Sequence, residues 1–144
     1  MGELSKGLGE GYEVLHNEKV YKFSLVNQDV KIKFKNRIYQ YAIEAVKNLK
    51  KQITNDDYNS LLGQLSEADE RDEFDIEGIR GRKALASIRG GILMVSLLTN
   101  CSEVEARDLI ENNPEEIKLA IDKVVKDSFD NVEINKKKVK QVLV

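Results

Sequence analysis

Apolar residues recur every three or four positions over most of the chain, the spacing of one buried face of an α-helix. The longest series follows Asn27, which together with Asp29 in the next turn is typical of a helix start. This series forms one stripe over about six and a half turns. The stripe predicts a long helix with a single buried face, made of Val30, Phe34, Ile38, Ala42, Ala45, Leu49 and Ile53.

The same periodicity predicts four more helices. The first begins near Asn55, and the second is apolar on most sides, so we expect it to be the most buried. Ser102 with Glu105 three residues later is a capping-box signature, and Asn113 followed by Pro114 is typical of a helix start. The apolar positions of the four helices are Tyr58, Leu61, Leu62 and Leu65; Leu85, Ile88, Ile92, Val95 and Leu98; Val104, Leu109 and Ile110; and Ile117, Ala120, Ile121, Val124 and Val125.

The N-terminal part has a different pattern. Residues 12–24 read YEVLHNEKVYKFS, two short runs rich in β-branched and aromatic residues around a polar four-residue turn, which indicates a β-hairpin. We therefore predict a mainly α protein of about five helices with a short N-terminal β-hairpin. The expected boundaries are a flexible arm at 1–11, a single domain at 12–129 and a basic, apolar tail at 130–144.

An acidic segment lies in the middle of the chain, between Glu67 and Glu77. It holds seven carboxylates against one base, Arg71, for a local charge of −6. We expect a solvated loop that divides the chain into two helical halves, because its apolar residues are only Ala68, Phe74 and Ile76. Four bases follow the segment: Arg80, Arg82, Lys83 and Arg89.

Composition narrows the class of protein. A chain of 144 residues with 41% hydrophobic and 33% charged residues fits one ordered domain, and 9 Gly with 1 Pro are too few for regular all-β turns. The net charge of −2 disfavours general nucleic-acid binding. Three features lead us to expect a cytoplasmic, non-membrane protein. They are the lone Cys101, the absence of a signal-like start, and a longest apolar stretch (residues 90–98) far below the ~20 residues of a membrane span.

Candidate catalytic groups are scarce. His16 has no second imidazole or thiol beside it in the pattern, so we expect an exposed turn residue rather than a base or ligand. Cys101 precedes a predicted helix start, where a thiol can be activated, but a small buried or capping residue is the simpler interpretation. The acidic segment does not match a calcium-binding loop. We expect no catalytic residues, no cofactor and no metal.

The glycines and the four bases that follow the acidic segment, which we call the basic turn, leave two interpretations open. Its glycines and bases could cradle a phosphate, although the Walker pattern is absent and no strand leads into the helix. Alternatively, Gly81 ends the loop, Gly90 and Gly91 allow close helix packing, and the arginines solubilise the start of a buried helix or pair with the acidic segment.

The order of elements resembles the tail assembly chaperones of long-tailed (siphovirus-type) bacteriophages. The resemblance rests on the aromatic β segment, a Leu-x-x-x-Asp entry at 25–29 into a long charged helix, and the acidic segment. It continues with the Gly-containing helix SIRGGILMVSLLTN, its S-x-x-E cap and the segment ARDLIENNPEEI. It covers residues 12 to about 129 and is a pattern of helices and composition, not a diagnostic motif.

The resemblance implies a non-enzymatic chaperone that binds the tape measure protein, keeps it soluble and helps recruit tail tube subunits. Such a protein acts in the host cytoplasm and is absent from the finished virion. The family commonly uses a programmed frameshift near the 3′ end of the gene. Lys136, Lys137 and Lys138 are what an adenine-rich slippery stretch would encode.

The tail supplies the only predicted partner-binding residues. Val139, Val142 and Leu143 follow a lysine run, and we expect them to dock on the partner or on a second copy of the chain. The competing function is a small nucleic-acid-binding regulator that uses the four bases of the basic turn and the C-terminal lysines Lys136, Lys137, Lys138 and Lys140.

Overall fold

A computed structural model describes the backbone of residues 12–143 and the side chains of residues 12–128. The predicted arm at 1–11 therefore lies outside the described residues, as do the side chains of the predicted tail. The elements are, in chain order, strands β1 (Glu13–His16) and β2 (Lys19–Lys22) and helices α1 (Gln28–Asn48), α2 (Asn55–Glu70), α3 (Ile79–Ala86), α4 (Ile88–Thr99), α5 (Glu103–Asn112) and α6 (Pro114–Leu143).

The mainly α class with an N-terminal hairpin is confirmed. The count of about five helices is slightly low, since the described part of the chain has six. The extra break falls at Ser87, whose backbone is extended at φ −83° and ψ 161°. The Ser87 hydroxyl then accepts a hydrogen bond from the Gly90 N–H at 3.0 Å, so this residue ends α3 and caps α4. The apolar periodicity continues through Ser87 and therefore gave no sign of the break.

The hairpin pairs Glu13 with Lys22 and His16 with Lys19 in an antiparallel register. Only Asn17 and Glu18 lie between the strands, with φ of 51° and 63°. Two central residues with positive φ form the turn type that matches the twist of the strands. The turn is thus shorter than the four polar residues suggested.

The chain forms two compact units. One is continuous, residues 28–94, and the other joins the N-terminal segment up to Asn27 with the C-terminal segment from Val95.

In the continuous unit, α1 packs against α2 and α3. The buried face of α1 carries Val30, Phe34 and Ile38, as predicted, but it ends with Val46. Leu49 is 40% exposed and follows the last helical residue. The backbone N–H groups of Leu49 and Lys50 donate to Val46 and Lys47 in tighter turns at the end of α1. Thr54 then caps α2, with its hydroxyl accepting from the Asp57 N–H at 3.1 Å.

The expectation of a solvated acidic loop is wrong in two respects. The first four residues of the segment complete the last turn of α2, which ends at Glu70. The three apolar residues, which seemed too few to anchor it, are all buried: Ala68 at 0%, Phe74 at 1% and Ile76 at 5% exposure. The Phe74 ring packs edge-on against Tyr39 of α1, with 5.2 Å between ring centroids. The acidic side chains of the segment therefore surround three buried apolar residues that hold the segment on the core.

In the other unit, α5 packs on α6, and α6 packs on β1. The inward face of the hairpin buries Val14 and Tyr21. The helices bury four of the positions that periodicity predicted, Leu109, Ile117, Ala120 and Val124. Val104 was predicted on the same face as Leu109 but is 81% exposed. Asn100, with φ 55°, ends α4, and the Ser102 hydroxyl caps α5 by accepting from the Glu105 N–H at 3.1 Å.

Candidate functional site

The hairpin turn brings His16 against α5 and the start of α6. Its Nε2 lies 2.8 Å from Asp108 Oδ2, and its Nδ1 lies 3.1 Å from Asn113 Nδ2. The imidazole side chain is only 12% exposed, so the expectation of an exposed turn residue is wrong. Sequence reasoning missed this because Asp108 is 92 positions away. The only local signal for the burial of His16 was its position two residues after Val14, on the buried face of β1.

Asparagine amides lie beside both ring nitrogens. The Asn113 side-chain amide donates to the Leu109 carbonyl at 3.1 Å, which turns its nitrogen toward His16 Nδ1. Nε2 lies between the Asp108 carboxylate and the Asn17 amide nitrogen, which is 3.2 Å away. The polar side chains that the structure places on the ring are those of Asp108, Asn113 and Asn17. None of these three carries a hydroxyl or a thiol, so the cluster has the Asp–His pair of a catalytic triad without the hydroxyl or thiol that such a triad activates.

Tyr21 and Tyr12 extend these contacts along the inward face of the hairpin. The Tyr21 hydroxyl lies 3.3 Å from Glu105 Oε2, and the Tyr12 hydroxyl donates to Asp127 of α6. Burial raises the pKa of the Tyr21 hydroxyl; the nearby Lys19 acts in the opposite direction and the Glu105 carboxylate adds to the rise. The tyrosines thus tie the hairpin to α5 and α6.

Cys101 lies between the end of α4 and the cap of α5. Its Sγ is 3.0 Å from the Thr99 hydroxyl and 3.5 Å from the Ser102 carbonyl oxygen. The thiol is half-buried, as expected of a residue in a capping region.

In the continuous unit, Glu73 links the acidic segment to the start of α3. Its carboxylate lies 2.8 Å from Arg71 Nε and 3.3 Å from Arg80 Nε. Its carbonyl accepts from the backbone N–H groups of Arg80 and Gly81, at 2.8 and 3.0 Å. The hydrogen bond from Arg71 lowers the pKa of Glu73, partial burial opposes this, and the bond from Arg80 reinforces it.

Lys35 of α1 approaches the same segment. Its ammonium lies 3.4 Å from Asp75 and 3.6 Å from Asp72. Burial acts to lower the pKa of Lys35, but Asp75, helped by Asp69 and Asp72, raises it above its ordinary value. A pocket of about 290 Å³ opens beside this pair, lined by Gln28, Lys31, Ile32, Lys35, Asp75, Ile76 and Glu77.

The predicted basic turn is mostly engaged within the chain. Arg80 pairs with Glu73, and Arg82 Nε donates to the Glu77 carbonyl at 2.7 Å. The Arg89 guanidinium lies 3.5 Å from the centroid of the Tyr41 ring and 3.9 Å from Glu44. Lys83 is exposed, with no ion pair to another described residue. Arg80 therefore pairs with the acidic segment as expected and Arg82 contacts its backbone, whereas Arg89 pairs with α1.

The same geometry disfavours a phosphate cradle at the start of α3. An anion site at a helix start needs backbone N–H groups that point at the ligand. The N–H groups of Arg80 and Gly81 already donate to the Glu73 carbonyl. A Cβ added at Gly81 would lie 1.7 Å from the Asp75 carbonyl oxygen, so this glycine serves a close backbone approach.

The described residues also lack the usual features of a metal site or a membrane span. No group of three or more His, Cys, Asp or Glu is placed to hold a metal ion. No helix among them combines the length and apolarity needed to cross a membrane. Comparison with protein-family models, curated proteins and solved structures gave no match.

The predicted partner-binding residues, Val139, Val142 and Leu143, lie where side chains are not described. The same holds for the C-terminal lysines. Their roles stay predictions.

Proposed function

We propose that this protein is a non-enzymatic tail assembly chaperone of a long-tailed bacteriophage, which binds and solubilises the tape measure protein and helps recruit tail tube subunits. The order of elements carries the proposal. A hairpin, a long charged helix, a folded acidic segment, a Gly-containing buried helix and a capped short helix follow one another along the chain. This is the order on which the resemblance rests.

The surface of the described residues also supports a binding role. Several large apolar side chains remain exposed on helices, among them Ile88 at 85%, Val104 at 81% and Leu119 at 70%. Exposed apolar side chains with charged neighbours suit contacts with an amphipathic helical partner. The His16 cluster, by contrast, places no hydroxyl or thiol of a described residue on the imidazole.

Co-expression with the product of the downstream reading frame tests the proposal. We expect a very long, helix-rich product that is insoluble alone and is recovered in a soluble complex with this chain. Size-exclusion chromatography with light scattering would give the mass of that complex. A downstream product that stays equally insoluble with and without this chain would overturn the proposal.

The alternative, a nucleic-acid-binding regulator, has less support from the contacts. Arg80 and Arg89 are engaged with Glu73 and with Tyr41 and Glu44. Phosphate binding through many free cations would give an affinity that falls steeply with salt. Fluorescence anisotropy with labelled duplex DNA at low and high salt distinguishes the two functions.

A further inference from the structure

The outward side of α3 is apolar and basic. α3 has eight residues and is about 12 Å long. Its inward side holds Gly81, which is buried, and Ala84 and Leu85, which are half-buried. Five residues of α3 are exposed, and four of them recur at the helical spacing of three and four, which places those four on one side. They are Ile79, Arg82, Lys83 and Ala86; the fifth, Arg80, pairs with Glu73.

The exposed surface continues into the first turn of α4. Ser87, Ile88 and Arg89 are all exposed, and Ile88 reaches 85%. One turn later, a Cβ added at Gly91 would meet nothing within 4 Å, so the surface beside Ile88 is open. We call the set Ile79, Arg82, Lys83, Ala86 and Ile88 the α3–α4 face.

Charge identifies the kind of partner that fits this face. Residues 79–89 carry four bases and no acid. Arg80 and Arg89 lie near Glu73 and Glu44, whereas Arg82 and Lys83 form no ion pair with a described residue. A partner that covers the face must therefore bring carboxylates for two cations and apolar side chains for two isoleucines.

We infer that the α3–α4 face binds an acidic amphipathic helix, with its apolar residues against Ile79 and Ile88 and its carboxylates at Arg82 and Lys83. This inference rests on the proposed function in that it assigns the surface and the chemistry by which a helical partner is held. Nucleic acid fits less well, because two of the five residues of the face are isoleucines that are 63% and 85% exposed. A second copy also fits less well, since three of the seven carboxylates of the acidic segment, those of Asp72, Glu73 and Asp75, are already paired with Lys35, Arg71 and Arg80.

A designed peptide tests the face directly. The probe is a labelled 18-residue helix with leucines on one side and glutamates beside them, and its comparison is the same peptide with lysine in place of each glutamate. We expect the full chain to bind the acidic peptide and not the basic one in fluorescence anisotropy. Ile88→Ser should weaken that binding about tenfold, because a large apolar contact is lost. Lys83→Glu should weaken it by at least as much.

Matched substitutions elsewhere control for nonspecific effects. Val104→Ser replaces an equally exposed apolar residue, and Lys118→Glu reverses an exposed charge on α6. Both should bind the peptide as the unchanged chain does. Circular dichroism should show all four variants folded, since each replaced side chain is exposed.

The outcomes separate this inference from the proposed function. Equal loss of peptide binding in the control variants, or equal binding of the basic peptide, would overturn the inference. So would duplex DNA that competes for the face, or an affinity unchanged by Ile88→Ser and Lys83→Glu. If the unchanged chain and the Ile88→Ser variant solubilise the downstream product equally, the inference fails and the chaperone function stands. If the acidic peptide binds as expected but the downstream product is not captured, the chaperone function fails and the inference stands.

Discussion

Gly90 and Gly91 are adjacent in the first turn of α4, but their surroundings differ. A Cβ at Gly90 would lie 1.7 Å from the Ala84 carbonyl oxygen, a distance that no relaxation of a side chain relieves. A Cβ at Gly91 would meet nothing within 4 Å. The expectation that both glycines allow close packing therefore applies only to Gly90.

Alanine substitutions at these two positions should have opposite effects. Gly90→Ala forces the backbone of α3 away from α4 and should lower the free energy of unfolding by about 2–3 kcal/mol. Gly91→Ala removes glycine's entropic cost in a helix and should raise it by about 0.5–1 kcal/mol. Urea unfolding followed by circular dichroism measures both. Equal destabilisation by the two substitutions would contradict the close approach at Gly90.

At the scale of elements, the acidic segment is a folded connection between α2 and α3. The buried Phe74 ring anchors this connection in the core. The Glu73 side chain pairs with Arg71 after α2 and with Arg80 in α3, and the Glu73 carbonyl accepts from the first turn of α3. Because the pKa of Glu73 in the folded chain lies below its ordinary value of 4.5, the ionised carboxylate stabilises the fold.

This stabilisation should depend on pH. It is fully present above about pH 4.5 and is lost as the pH falls through the lowered pKa of Glu73. Glu73→Gln should therefore be less stable than the unchanged chain near neutral pH, and the difference should shrink in acid. Urea unfolding at several pH values from 3 to 7 measures it. Glu70→Gln, at a carboxylate without an ion pair to a described residue, is the control and should change stability little at any of these pH values.

The tyrosine hydroxyl of Tyr12 should hold the hairpin on α6. Tyr12→Phe removes the donor to the Asp127 carboxylate and should cost about 1–2 kcal/mol of unfolding free energy. Tyr39→Phe is the matched control, because the Tyr39 ring contacts Phe74 but its hydroxyl bonds to no described residue. Thermal unfolding compares the two. A Tyr12→Phe variant as stable as the control would show that the hydroxyl contributes nothing.

Sequence periodicity predicted the elements well and the site poorly. The hairpin, the α1 stripe through Ile38 and the Ser102 cap depend on neighbours along the chain, and these were confirmed. The burial of His16 and Phe74 was missed because it depends on residues distant in sequence. A single aromatic among seven acids has no periodicity to reveal it. The partners of Arg82 and Arg89 could likewise not be predicted from the sequence, because they depend on how the chain folds around the basic turn.

At the scale of the whole molecule, the described buried positions of α6 are Ile117, Ala120 and Val124. Removing residues 132–144 keeps all of these positions, and we expect the unfolding temperature of the shortened chain to lie within a few degrees of the full-length value. The same deletion should reduce capture of the partner or change the oligomer mass, since it removes Val139, Val142 and Leu143.

Thermal unfolding and light scattering measure these two effects separately. A deletion variant that keeps its oligomer mass and its partner capture would count against a docking role for the tail. A large drop in unfolding temperature would instead show that residues after 131 support the fold.

The discontinuous unit also has a consequence for synthesis on the ribosome. Tyr12 is 115 positions from Asp127, and Val26, whose N–H donates to the Ser128 hydroxyl at 2.9 Å, is 102 positions from it. At ~5–20 residues per second, the nascent hairpin waits about 5–20 s for these partners to be made. The segment 28–94 is continuous and has all its own residues well before then. During that interval the inward face of the hairpin is open to cellular chaperones and proteases.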